Sequence, residues 1–227
     1  MLQFIAAKYA SSTISATNNH TTDTLIDTVR LYNENPNPKI IAHVAEILRN
    51  GGIVIYPTDT VYAIGCDIRQ QHAIEKICKF KGIDTRKAQL SIICHDLSHI
   101  SEYAKVDNST FRLLKHNLPG AFTFILNGSN NLPRLFKNRK TIGIRVPDNN
   151  IVRALVQELG NPILTTSVKD DNDITEYETD PELLQEKYGK MADIIINGGM
   201  GNNTASTIVD CTGEQPEIVR QGIGELK

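Results

Sequence analysis

The stretch Gly51 to Cys66, GGIVIYPTDTVYAIGC, decides how the chain reads. Paired glycines open it, and a short β-branched run follows (Ile53, Val54, Ile55, Tyr56) before Pro57. A short apolar run bounded by breakers is the pattern of a buried strand. Proline has no amide hydrogen to give a central ladder, so the chain must leave the sheet at Pro57. Thr58, Asp59 and Thr60 therefore sit at a strand end, where open α/β sheets hold ligands. A second apolar segment is expected to close at Gly65.

Working outward, Asn37 and Pro38 form a helix start, because an Asn cap and a proline at the first helical position suit the unpaired amides there. Ile40, Ile41, Val44, Ile47 and Leu48 then fall on one helical face, and Asn50-Gly51-Gly52 ends the helix. A second helix is expected up to about Phe80, then a basic loop and a strand over Leu90 to Cys94. Short helices over Leu97–Tyr103 and Ser109–His116 precede strands at Ala121–Leu126 and Thr141–Val146. A helix around Ile151 to Leu159 leads into a strand from Ile163 to Val168. Residues 170–182 carry seven carboxylates and no Lys or Arg. A short helix from Leu183 and strands at Ile194–Ile196, Thr207–Val209 and Ile218–Arg220 complete the chain. Strands alternating with helices predict an α/β fold. The spacings near residues 118–146 are too short for helical crossovers, so some neighbours must be antiparallel.

The totals narrow the classes. With 227 residues, 40% hydrophobic and 22% charged, one soluble globular domain is expected. The net charge, 24 − 26 = −2, leaves any phosphate affinity to local clusters. Cys66, Cys78, Cys94 and Cys211 show no C-x-x-C spacing, so buried thiols in a reducing cytoplasm are expected, with no protein-bound zinc. No apolar run reaches membrane-spanning length. Residues 1–28 are rich in Ser, Thr, Asn and Ala. They read as a loosely ordered extension, an added element, or a start codon placed too early, with the domain running from 29 to 227.

Two basic clusters stand out, Lys76, Lys79, Lys81, Arg86 and Lys87, and then Arg134, Lys137, Arg139, Lys140 and Arg145. Arg145 lies inside the apolar strand T-I-G-I-R-V-P. It is either buried without a partner or directed at an anion. Ser167 and Lys169 fall on one side of an extended chain. Thr123, Ser206 and Arg220 likewise sit at strand ends, so hydroxyls and cations suggest one cleft for an anionic ligand. The chain has no P-loop, no G-x-G-x-x-G, no G-x-S-x-G and no H-E-x-x-H. Positioning and electrostatics, with no side-chain nucleophile, are the expected chemistry.

The same stretch resembles the signature of the YrdC-like family, the threonylcarbamoyl-AMP synthases, with Ala63 where that family has Gly. Further motifs match in order: Pro119 to Thr123, Ile144 to Pro147, Thr166-Ser167, Ser206-Thr207, and Arg220 to Gly222. The resemblance covers about residues 31–225. It implies a twisted mixed sheet flanked by helices around a central concave cleft. It also implies a reaction of ATP, L-threonine and bicarbonate giving threonylcarbamoyl-AMP and pyrophosphate, for modification of adenosine 37 in tRNA. Carried over by position, Lys79, Lys81, Thr123, Lys169 and Arg220 hold ATP with its Mg²⁺. Thr58, Arg145, Ser167 and Ser206 hold threonine. The departures are Lys79-Phe80-Lys81 for K-x-R, Ser167-Val168-Lys169 for S-x-N, and Ala88-Gln89-Leu90 for K-P-L. With the run Val106 to Gly120, they bring the chain nearest in pattern to the YciO branch. The alternatives are a YciO-like nucleotide- or RNA-binding protein without synthase activity, and a hydrolase of threonylcarbamoyl-AMP.

Overall fold

The first helix forms where its cap predicts. In the computed structural model, which describes residues 27–82, 90–132, 136, 140–168 and 179–227, α1 spans Pro38–Arg49. The Asn37 side chain accepts from the Lys39 amide at 3.0 Å. Gly51, at φ 86°, takes the left-handed turn that leads the chain out of the helix. Strand β2 (Val54–Tyr56) follows and stops before Pro57.

The strand order places every later element. β1 is Asp27–Arg30, β3 Ala63–Asp67, β4 Ser91–Ile93 and β5 Ala104–Lys105. β6 is Phe122–Gly128, β7 Thr141–Arg145 and β8 Ile163–Ser167. β9 is Ile194–Asn197, β10 Thr207–Asp210 and β11 Glu217–Arg220. Among the described residues they form one mixed sheet in the order β1-β9-β2-β3-β8-β4-β7-β6-β10-β11, with β5 on β6. β6 and β7 pair antiparallel, as their short connection requires. The remaining helices are α2 (Gln71–Phe80), α3 (Leu97–Tyr103), α4 (Asn108–Asn117), α5 (Asn150–Leu159) and α6 (Pro181–Tyr188).

Alternation along the strands divides the core in two. Ile55, Ile64, Cys66, Ile92, Phe124, Ile144, Leu164 and Ile195 pack on one face, with residues of α2, α3, α4 and α6. Val54, Tyr56, Ala63, Ile93, Ile163, Ile194 and Ile196 pack on the other, against α1 and α5. The second layer is the smaller. α1 and α5 cover the β1 half of the sheet, and on that same face Ser91, Thr123, Arg145 and Thr165 stand beyond their reach.

Two expectations change. Strand structure begins at Asp27, where β1, a strand not expected there, pairs parallel with β9. Residues 1–26 lie outside the described residues. The acidic run falls largely in 169–178, also outside them. Gly65 does not close its segment: β3 continues to Asp67, and Gly65 is its middle residue. A Cβ at Gly65 would strike the Leu164 carbonyl and lie 2.8 Å from the Tyr56 hydroxyl. Glycine is needed there because the Tyr56 side chain crosses β3 above it. The cysteines behave as small apolar residues. Cys66, Cys78 and Cys94 are buried and reduced. Burial pushes the Cys66 and Cys94 thiols well above their usual range and raises half-buried Cys211 to about 11.

Gly65→Ala should lower stability by about 2–3 kcal/mol, the cost of forcing extra volume into a packed site. The measurement is the urea midpoint at unchanged slope.

Candidate functional site

The Pro57–Thr60 turn builds one wall. Thr58 Oγ1 accepts from the Thr60 amide at 3.0 Å and donates to the Val61 carbonyl at 2.8 Å. It also lies 3.0 Å from Thr60 Oγ1. A threonine that folds back on its own backbone in this way fixes a tight turn. Asp59 reaches away from the turn. Its Oδ2 accepts from the Asp148 amide at 2.9 Å and its Oδ1 from Arg145 Nη2 at 3.0 Å. The same Nη2 donates to Thr60 Oγ1 at 2.9 Å.

Arg145 thus has a partner that the sequence reading did not foresee. It is neither alone nor held ready solely for an outside anion, because Asp59 is a built-in counter-ion. Both side chains are 9% exposed. Burial pulls the guanidinium below its usual pKa, and the Asp59 carboxylate opposes that shift. Arg145 Nε is buried and has no hydrogen-bond partner.

Beside Arg145 lies a cavity of about 240 Å³. Its wall holds hydroxyls from Thr60, Ser91, Thr123, Thr165, Ser167 and Ser206, with the guanidiniums of Arg145 and Arg220. Sheet register brings them together. Ser91 of β4 stands opposite both Gly143 of β7 and Thr165 of β8. Gly143 has no side chain because a Cβ would lie 2.6 Å from Ser91 Oγ and 3.3 Å from Thr123 Cγ2. Thr123 Oγ1 and Ser206 Oγ are 2.8 Å apart. Arg220 Nη2 donates to the Ser206 carbonyl at 2.8 Å. Gly222 is required as well, since a Cβ there would collide with the Ala205 carbonyl and the Ser206 backbone. Beneath the wall, the Tyr56 hydroxyl donates to Thr165 Oγ1 at 2.8 Å. Burial raises the pKa of Tyr56 well above the usual phenol range, so it remains a neutral donor.

Five of the nine candidate residues therefore share one cavity: Thr123, Arg145, Ser167, Ser206 and Arg220. Thr58 does not line it. The turn consumes its hydroxyl, and Thr60 takes the place on the wall. Lys79 and Lys81 lie at the end of α2 and are not on the described wall. Lys79 is exposed, and Lys81 Nζ is 3.4 Å from the Val168 carbonyl. Lys169 lies outside the described residues. The site also lies across a sheet face, not beyond the strand ends, because the helical layer on that face is incomplete. Ser91 and Thr165 were missed, while Asp59 and Thr60 were placed at the strand end but assigned no ligand. Asp59 and Thr60 were visible in the Pro-Thr-Asp-Thr run, but nothing in the sequence signals that Ser91 and Thr165 share a register.

Known proteins share the sequence pattern and the fold. The Sua5/YciO/YrdC family model, described as telomere recombination, matches residues 46–222. The chain belongs to this family. It is 42% identical over 200 residues to the protein YciO of Escherichia coli K12, covering 87% of this chain and 96% of that one. The crystal structure of E. coli YciO superposes with a TM-score of 0.82 at 39% identity, covering 89% of this chain and 98% of the other. The threonylcarbamoyl-AMP synthase of Bacillus subtilis is 29% identical over 187 residues, 80% of this chain and 53% of that protein. P. abyssi Sua5 complexed with L-threonine has a TM-score of 0.76 at 26% identity, covering 88% of this chain and 58% of the other. The expected mixed sheet with flanking helices is the fold of these relatives. Among the described residues, no helix is long and apolar enough to cross a membrane.

Arg145→Met leaves Asp59 buried against a single amide and should cost about 3–5 kcal/mol in chemical denaturation. Asp59→Ala combined with Arg145→Met should cost clearly less than the two single changes summed, with a coupling above about 1 kcal/mol.

Proposed function

We propose that this chain catalyses threonylcarbamoyl-AMP synthase-type chemistry. ATP, L-threonine and bicarbonate would give threonylcarbamoyl-AMP and pyrophosphate, in the cytoplasm, for modification of adenosine 37 in tRNA. The supporting observation is the convergence of Arg145, Ser167, Ser206, Thr123 and Arg220 on one small cavity. At about 240 Å³ it lies below the roughly 300–1,000 Å³ common for larger organic ligands. An amino acid fits that space, and a whole nucleotide does not.

In this reading the threonine carboxylate meets Arg145, while Ser167 and Ser206 hydrogen-bond its polar groups. Thr58 would contribute by holding Thr60 in place. The ATP phosphates approach from the Arg220 and Thr123 side, with Lys79, Lys81 and Lys169 at the rim. The threonine amine attacks the bicarbonate carbon and a C–O bond breaks to release water, and the resulting carbamate attacks the α-phosphorus of ATP as pyrophosphate leaves. Nucleophile and target are both anionic. The work of the protein is therefore alignment and charge compensation. No carboxylate lines the described cavity wall, so Mg²⁺ would arrive on the triphosphate, where it supplies charge neutralisation, and not on protein ligands.

A second reading is a YciO-type protein that binds nucleotide or RNA without turnover. The observation favouring it is Lys81, which stands where the synthases carry the forked donor of Arg and is directed at the Val168 carbonyl. One assay separates the two. Purified protein with ATP, Mg²⁺ and bicarbonate should release pyrophosphate only when L-threonine is added. Lys169→Asn, which restores the synthase pattern, should increase that release. Threonine-independent or absent release removes the synthase reading and leaves the binding one.

A further inference from the structure

Asp59 is the charged side chain closest to the site that no role above requires. It does not line the cavity. It lies behind Arg145, with one carboxylate oxygen on the Asp148 amide at 2.9 Å and the other on Arg145 Nη2 at 3.0 Å. Asp148 directly precedes Asn149, whose side chain caps α5 by accepting from the Val152 amide at 3.1 Å. Asp59 thus connects the Pro57–Thr60 turn, the end of β7 and the start of α5 to one guanidinium.

We propose that Asp59 is a positioning residue that sets the ligand class of the cavity by making Arg145 a carboxylate receptor. The inference rests on the reading of the cavity as an amino-acid site. A guanidinium does not lose its proton in a protein. Without a counter-ion, a buried Arg145 would be an uncompensated cation and would attract any small anion, phosphate included. Paired with Asp59 it is neutral overall. What it offers a ligand is a compensated charge: Nη2 is committed to Asp59 Oδ1 and Thr60 Oγ1 and Nε is buried out of reach, so a ligand meets the remaining edge of the guanidinium. A monocarboxylate supplies an acceptor for such a donor without bringing the second charge of a phosphate dianion. The surrounding Thr60, Ser91, Thr165 and Ser206 hydroxyls suit the polar remainder of a small amino acid. Asp59 acts through Arg145 and touches no ligand in this scheme.

The test is calorimetric titration of the full chain with L-threonine and with inorganic phosphate. The wild type should bind L-threonine at least about tenfold more tightly. Asp59→Asn should bring the ratio to within about threefold by tightening phosphate. Asp59→Glu, which keeps the charge, should retain the wild-type ratio. An Asp59→Asn protein that keeps the ratio, or that loses both ligands alike, overturns the proposal. So does Asp59→Glu losing the preference. A wild type that binds the two ligands equally removes the proposal and leaves the amino-acid cavity standing. A wild type that binds neither removes the proposal and the amino-acid reading together.

Discussion

The guanidinium of Arg145 is only 9% exposed although the helical layer over its sheet face is incomplete, and its charge has to be met there. Taking a cation out of water costs several kcal/mol unless an opposite charge and hydrogen bonds replace the solvent. Asp59 supplies the charge and Thr60 a second acceptor. Both come from a turn forced by Pro57 and fixed by Thr58. The signature run and the T-I-G-I-R-V-P strand are 86 residues apart in sequence at Arg145 and Asp59, and they are joined at this contact. The turn could not relax without unpairing the arginine. Equally, the arginine could not turn outward without leaving Asp59 buried.

That contact also explains where the cavity lies. α1 and α5 pack on the β1 half of one sheet face through Val44, Leu48, Val152 and Leu155. They end where Ile93 and Ile163 give way to Ser91 and Thr165. Two residues along each strand exchange an apolar for a hydroxyl side chain on the same face. The opposite face keeps its apolar residues throughout, with Phe124, Ile144 and Leu164 in one cluster. A strand such as β7 is thus half core and half site: Ile142 and Ile144 hold it down while Gly143 and Arg145 face the cavity.

Much of this was readable in advance wherever a local rule decided the outcome. Asn37-Pro38 started a helix and Gly51 ended one, because capping and left-handed turns depend on a few neighbouring residues. Arg145 could be singled out because a cation within an apolar strand always demands a partner. The identity of that partner could not be read, since it depends on a fold contact between distant segments. Gly65 misled for the same reason. By local rules glycine closes a strand, and only the crossing of Tyr56 above β3 shows why it sits in the middle of one. Thr58 was preferred to Thr60 because a motif gives the order of hydroxyls and not their directions. β1 was missed because Asp27 and Arg30 leave it little apolar pattern, as suits an edge strand.

A cavity whose described wall carries hydroxyls and two guanidiniums but no carboxylate restricts what the protein would contribute to the proposed reaction. It would hold two anions in contact, remove water and keep dipoles fixed. Each of these requires stiffness more than reactivity. The stiffness is visible in the shared hydrogen bonds: Tyr56 on Thr165, Ser206 between Thr123 and Arg220, Asp59 between Asp148 and Arg145. Glycines at 65, 143 and 222 let these groups approach, each at a place where a methyl group would separate them. The lysines at the end of α2 differ in kind. Lys79 is solvated, and an ammonium on a flexible stem gives charge without the planar geometry of a guanidinium. On the proposed reading, the amino-acid end of the site is fixed by the fold, while the phosphate end would depend on side chains that can be exchanged without disturbing the sheet. The Lys81 and Lys169 departures from the family motifs concern residues which that reading assigns to the phosphates.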